Sequence, residues 1–463
     1  DSLADGNIPF RYEKAAIPPY NKIKTDIKWN NKESDRVRLY LDNLFFLIRN
    51  KVLMNGGNLA ATKIVWFYPV SMTKARCDAF ATIWANLYTK YFAGDPQTNL
   101  VMMSESVAPY YYYKQKRGAK SNVVTIDIGG GTTDVYVVEE NIPKILSSFR
   151  FAANSIFGDG YNFSADTNGF VNGFKGDVLS ILNSNQGMSD IIDAFKTIEN
   201  SDNSNDIIAF FFSLATNKTI KEKNVPIDFL AMLSHNDQYK YVFIMFYGAV
   251  LYYVANMMKA TGIALPQTLA FSGNGSKTLA VLSPNNDTVA KFASLIFEKV
   301  YGTKYSDLNT KLDIIFDKEP KLATCKGGIT YRNNLTFEAV DNIKVSLLGT
   351  NSYELTHGYQ YKQIQAEQIQ SIADHVSKFI EFIFEINSAN KNFFVNNLAA
   401  DASLVSKVKE ICNSDLLEYT KQGLEQKYEE LESWGANGEA EIEETLFFYP
   451  IVAMLSNLAR QIK

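Results

Sequence analysis

Between Asn122 and Glu139 the chain reads NVVTIDIGGGTTDVYVVE, two alternating β-branched segments on either side of Gly129, Gly130 and Gly131. That pattern predicts a β-hairpin with a glycine-rich turn. Glycines let a backbone come close to a phosphate and aim several N–H groups at it. The hydroxyls of Thr132 and Thr133 would add donors to the same oxygens. Two carboxylates, Asp127 and Asp134, bracket the turn, and against a bare polyphosphate they would be repelled. They make chemical sense with Mg2+ and its waters between them and a nucleotide. The segment lacks the GxxxxGKS/T spacing of a P-loop, and it does not open a helix as a dinucleotide-binding GxGxxG does.

Elsewhere short apolar runs alternate with helical periods, which predicts an α/β architecture with a mixed or parallel sheet. Residues 1–30 read as an extended lead-in with prolines at 9, 18 and 19. Arg36 to Arg49 predicts a largely buried helix, and Lys63 to Val70 a buried strand. Ser71 is placed to cap a helix that carries Phe80, Ile83, Trp84, Leu87, Tyr88 and Tyr91 and stops at Gly94. Leu100 to Met103 is a second strand, followed by Ser104-Glu105-Ser106, the tyrosines Tyr110 to Tyr113, and an exposed basic loop from Lys114 to Lys120. The tyrosine run reads as packed helix surface.

The polar stretch Ser201 to Asp206 marks a loop or subdomain boundary. Tyr241 to Met258 carries no charge and nearly reaches the length of a membrane span. Its Asn256, Gly248 and four tyrosines, with lysines at both ends, favour a buried core helix instead. Beyond residue 330 a strand-like section precedes a helix from about Gln363 to Asn387. The glutamates from Glu425 to Glu444 read as a solvated helix face, and Leu446 to Ile462 as a closing helix.

Composition narrows the chemistry. A chain of 463 residues has room for two or three cores, and a formal net charge of -4 offers no electrostatic footprint for nucleic acid. Cys77, Cys325 and Cys412 are far apart without CxxC spacing, which argues against a disulfide framework or a zinc site and for a reducing, cytoplasmic compartment. His235, His357 and His375 are scattered, and no local signature supports a Ser-His or Cys-His hydrolase.

The segment DIGGGTTD resembles the second phosphate-binding hairpin of the actin, DnaK-type heat-shock chaperone and sugar-kinase superfamily. Three more segments follow the same order. Ser104-Glu105-Ser106-Val107-Ala108 resembles the family's Asn-Glu-Pro-Thr-Ala element, which implies that Glu105 stands near the magnesium or the attacking water. Phe271 to Ser276 (FSGNGS) resembles the adenosine-binding turn, with Gly273, Asn274, Gly275 and Ser276 against the nucleoside. Glu319 to Gly328 resembles the second connecting segment. Phe157 to Tyr161 (FGDGY) sits where DnaK-type proteins carry a Gly-Gly-x-Asp-Phe turn.

The resemblance covers roughly residues 60–330 and implies a two-lobed actin-like ATPase fold, duplicated ribonuclease H-like domains with helical insertions. Residues 1–121 would form the first lobe. Residues 122–330 would form the second, with a helical subdomain around 165–240, and 331–463 would return to the first. ATP or ADP with Mg2+ are the implied cofactors. Asp127 would orient water for in-line attack, with Glu105 and, through water, Asp134 on the metal side.

One element departs from the pattern. A first phosphate hairpin, Asp-x-Gly-x-Thr/Ser, is expected upstream of Lys63, and no copy is present. Either it lies outside this chain or half of the phosphate grip is lost, which would leave a nucleotide-binding scaffold without turnover. The DnaK-like segments imply a bacterial, cytoplasmic, chaperone-like ATPase whose lobe motion is passed to a protein partner. A filament-forming actin-like protein and a small-molecule kinase are the competing readings. Neither a nucleic-acid partner nor a membrane span is expected.

Overall fold

The computed structural model describes residues 34–68, 74–161, 164–200, 203–317, 319–331, 360–433, 439–440, 442 and 444–462. The N-terminal lead-in, the Ser71 cap and the strand-like section after residue 331 lie outside them. The described chain is mixed α/β and divides into two compact units.

The smaller unit comprises residues 34–117 and 322–331. Its strands β1 (Ile64–Tyr68) and β2 (Leu100–Ser104) pair in parallel, Ile64 opposite Leu100 and Tyr68 opposite Ser104. The helices Ser34–Met54 and Lys74–Tyr91 close one core through Val37, Leu41, Phe45, Leu87 and Tyr88. The first helix is not largely buried as its run of apolar residues suggests. Leu39, Tyr40, Phe46 and Leu47 are 48–62% exposed, because one stripe of a helix suffices to meet one neighbour. Lys114 to Lys116 end the helix Ala108–Lys116 instead of belonging to a loop. Of its tyrosines, Tyr110 and Tyr113 are buried. Tyr111 meets Tyr331 at 5.1 Å and Lys326 lies 5.2 Å over Tyr112, which ties in the helix Leu322–Thr330.

The larger unit comprises residues 118–321 and 360–462. Strands β3 (Val123–Ile128), β4 (Thr133–Glu139) and β5 (Ile142–Phe149) form an antiparallel meander. Strands β6 (Thr268–Ser272) and β7 (Asp313–Phe316) extend it in parallel from β3, giving the order β5-β4-β3-β6-β7. Five helices lie between Gly169 and Ser234 among the described residues; one of them, Ser204–Leu214, starts inside the polar stretch read as a loop, capped by Asn203.

The helix Lys240–Ala260 is long and apolar enough to cross a membrane, and 94% of that stretch is buried inside the protein. Its tyrosines are accommodated because their hydroxyls find partners: Tyr247 meets Thr278 Oγ1 at 2.8 Å, and Tyr241 donates to the Asp401 carbonyl at 2.7 Å.

Residues 360–462 belong to this larger unit. The C-terminal helix Tyr449–Gln461 is buried on nearly every side, and Phe448 before it stacks on Phe149 and Phe151 of the sheet unit. Nor are the late glutamates all solvated: Glu430 binds Arg150, and Glu444 binds Lys427 at 2.9 Å with both side chains nearly buried.

His375 lies in this core, 5% exposed, edge-on to Phe447. Burial, with Lys378 nearby, pushes its pKa down from 6.5 to about 4. The folded chain therefore resists a proton that the unfolded chain accepts, and stability is expected to fall as pH drops from 6.5 to 4. The loss is about 3 kcal/mol, and in His375→Leu that part of the slope should vanish in urea titrations across this pH range.

Candidate functional site

The glycine turn is formed as expected. Asp127 stands opposite Asp134 and Ile128 opposite Thr133, and the Gly129 amide donates to the Thr132 carbonyl at 2.9 Å. Gly130 and Gly131 are exposed at the tip. Neither has a positive φ. A Cβ on Gly131 would meet nothing within 4 Å, and one on Gly130 would approach only the Asn154 side chain, at 3.5 Å. Among the described residues nothing requires glycine at these two places, so their bare backbone leaves room for a ligand.

The turn Gly273–Ser276 stands directly on this hairpin. Gly273 has φ +78° and ψ 153°, a backbone region open almost only to glycine. A Cβ there would come within 2.5 Å of Asp127 Oδ1, and one on Gly275 within 2.7 Å of the Gly129 carbonyl oxygen. The parallel pairing of β3 with β6 sets Ser272 beside Asp127, and the serine hydroxyl donates to Asp127 Oδ2 at 2.7 Å. Cross-strand partners share a face, so Ser148, Asp134, Asp127 and Ser272 form a polar row across four strands.

Two of the expected donors turn inward. Thr133 is fully buried and its hydroxyl donates to the Phe151 carbonyl at 2.6 Å, so its proton serves the fold and not a phosphate. Ser276 is likewise fully buried and donates to the Gly273 carbonyl at 2.7 Å. Thr132 is half-buried and Asn274 exposed, so both remain accessible to a ligand. Asp134 is 5% exposed whereas Asp127 is half-buried.

Glu105 belongs to the smaller unit, at the end of β2, where its amide donates to the Tyr68 carbonyl at 3.0 Å. In the FGDGY turn, Asp159 accepts from Asn168 Nδ2 at 3.0 Å and from Ser204 Oγ. That carboxylate anchors the helical subdomain.

Sequence reasoning missed Ser272 and Asn154. Ser272 falls within the FSGNGS segment, but its role comes from a strand pairing 145 residues away, and no local pattern marks Asn154, which matters through the fold of β5 back onto the turn.

Among the described residues, no three His, Cys, Asp or Glu side chains gather to hold a metal. Mg2+ keeps most of its waters and needs only one or two carboxylates beside substrate phosphates. One half-buried carboxylate, Asp127, at the edge of a glycine turn fits an ion that arrives with a nucleotide.

No family model and no curated protein matches this chain. Solved structures similar to it include the following two. The ethanolamine utilization protein EutJ from Carboxydothermus hydrogenoformans is 11% identical with a TM-score of 0.30, covering 67% of this chain and 77% of its own. MreB5 of Spiroplasma citri bound to ADP is 12% identical with a TM-score of 0.28, covering 64% and 73%.

Proposed function

We propose that this chain binds Mg·ATP or Mg·ADP at the glycine hairpin and hydrolyses ATP as an actin-like ATPase whose nucleotide state is read by a protein partner. The observation that carries this reading is the exposed Gly130-Gly131 tip, where neither strain nor internal packing requires glycine. The sheet supports it as well. Three antiparallel strands continued by two parallel ones are the sheet of a ribonuclease H-like unit.

In this reading the turn amides hold phosphate oxygens, and the Gly273–Asn274 corner takes the nucleoside. Mg2+, when bound, would neutralise phosphate charge, and Asp127 is the side chain that would hold its waters. Asp127 also orients the attacking water, its carboxylate fixed by the Ser272 hydroxyl.

Calorimetric titration of Mg·ATP tests the proposal. Binding at about micromolar Kd is expected, abolished by EDTA and weakened in Gly130→Val. No heat at millimolar ATP would refute it. A filament-forming variant of this reading draws on the exposed Leu39, Tyr40, Phe46 and Leu47. Sedimentation that rises with protein concentration in Mg·ATP would favour it over a soluble partner.

A further inference from the structure

The glycine turn does not stand alone on its two strands. The Gly130 carbonyl accepts the Asn154 amide at 2.7 Å, and the Gly129 carbonyl accepts the Ala153 amide at 3.3 Å. The strand just beyond the turn is held in the same way, by Thr133 Oγ1 on the Phe151 carbonyl. One short segment, Phe149 to Asn154, therefore braces the turn from behind.

That segment is in turn fastened to the C-terminal helices. Phe448 sits against both Phe149 and Phe151, with ring centroids at 4.5 Å in each case and interplanar angles of 23° and 15°. Between those two phenylalanines, Arg150 Nη1 reaches both carboxylate oxygens of Glu430 at 2.5 and 2.6 Å. Glu430 is itself 3.5 Å from Lys427, which binds Glu444 at 2.9 Å, and Tyr449 donates to the same Glu444 oxygen at 2.9 Å. The chain of contacts runs from the helix Leu416–Ser433 through Arg150 to the backbone of the turn.

The Arg150 and Glu430 side chains are 49% and 26% exposed. At such a site an ion pair adds little to global stability. What a charge-assisted contact from one guanidinium nitrogen to both carboxylate oxygens does supply is a fixed point of attachment. The aromatic stack accounts for the burial, which leaves direction as the ion pair's contribution.

We propose that Arg150 and Glu430 are positioning residues, through which the C-terminal helices set the shape of the glycine turn and hence its grip on phosphate. This rests on the nucleotide reading above. It also gives the C-terminal region a role: a change in the helix Leu416–Ser433 is felt at the turn as a change in phosphate affinity.

The test uses the full chain and Glu430→Gln, which keeps shape and removes charge. Amide hydrogen exchange is followed without nucleotide, and Mg·ATP and adenosine are then titrated separately. The expected result is faster exchange at Ala153 and Asn154 with unchanged exchange across Leu269 to Thr278. Mg·ATP affinity should weaken about fivefold, the equivalent of one such contact, while adenosine affinity and melting temperature hold. Arg150→Lys, which keeps the charge but not the guanidinium's shape and reach, should fall between.

Unchanged exchange at Ala153 and Asn154 overturns the inference. So does a parallel loss of ATP affinity, adenosine affinity and melting temperature, which is the mark of a merely structural pair. Failure of the unaltered chain to bind Mg·ATP overturns the nucleotide reading itself. The exchange measurement, made without nucleotide, is independent of that outcome.

Discussion

An Asp127→Asn variant is expected to hydrolyse ATP about 10² to 10⁴ times more slowly than the unaltered chain while remaining folded. Asparagine matches aspartate in size and keeps an oxygen for the Ser272 hydroxyl, which now donates to Asp127 at 2.7 Å. The β3–β6 pairing and the Gly273 corner should survive. What is lost is the negative charge that, in the proposed mechanism, orients the attacking water. Phosphate release under saturating Mg·ATP measures the effect, and a thermal melt of the same sample controls for folding. Turnover equal to that of the unaltered chain would remove Asp127 from the chemistry. A drop in melting temperature of more than about 8 °C would instead show that the charge mainly holds the polar row of the sheet together.

Gly273→Ala is the second large effect. The alanine would have to keep φ +78° with ψ 153°. Such a backbone costs a residue with a Cβ about 1–3 kcal/mol. The new methyl would also lie 2.5 Å from Asp127 Oδ1 and 2.7 Å from the Ile128 carbonyl carbon. Backbone cannot step aside as a flexible side chain does, so a total loss of about 3–5 kcal/mol is expected in urea unfolding, with nucleotide binding lost as the corner shifts. Gly131→Ala is the matched control. Its Cβ meets nothing within 4 Å and its φ is not positive. Stability should stay within about 1 kcal/mol of the unaltered chain, while Mg·ATP affinity weakens because the methyl occupies the space left for phosphate. Equal stability losses in the two variants would refute the distinction between an internal and a ligand-facing glycine.

The pH response of His375 belongs to a different part of the molecule and titrates independently of both variants. It reports on the packing of the C-terminal helices, where the imidazole faces Phe447 and Tyr252.

The hairpin at Val123–Glu139 was legible in the sequence because its signals are local: alternation at period two, β-branched residues, and three glycines between two aspartates. The helix Lys240–Ala260 was legible for the same reason, since an uncharged run of that length has few homes. Asp127 and Gly130 could be nominated from residue type and spacing, and Gly273 only through the resemblance of Phe271 to Ser276 to an adenosine-binding turn. Which hydroxyls face a ligand could not. Thr133 and Ser276 carry the right chemistry, and each gives its proton to a carbonyl of its own chain.

Ser272 became visible only when β6 paired with β3, and Arg150 only when Glu430 arrived from 280 residues away. The same kind of distant contact set residues 360–462 against the larger unit, through a phenylalanine stack that no spacing announces. Local periodicity determines which segments are strands and which residues can line a turn, because backbone sterics and side-chain alternation act over a few residues. Partners are chosen by packing between segments far apart in the chain, and that choice, made in the folded state, decided which of the nominated side chains look outward.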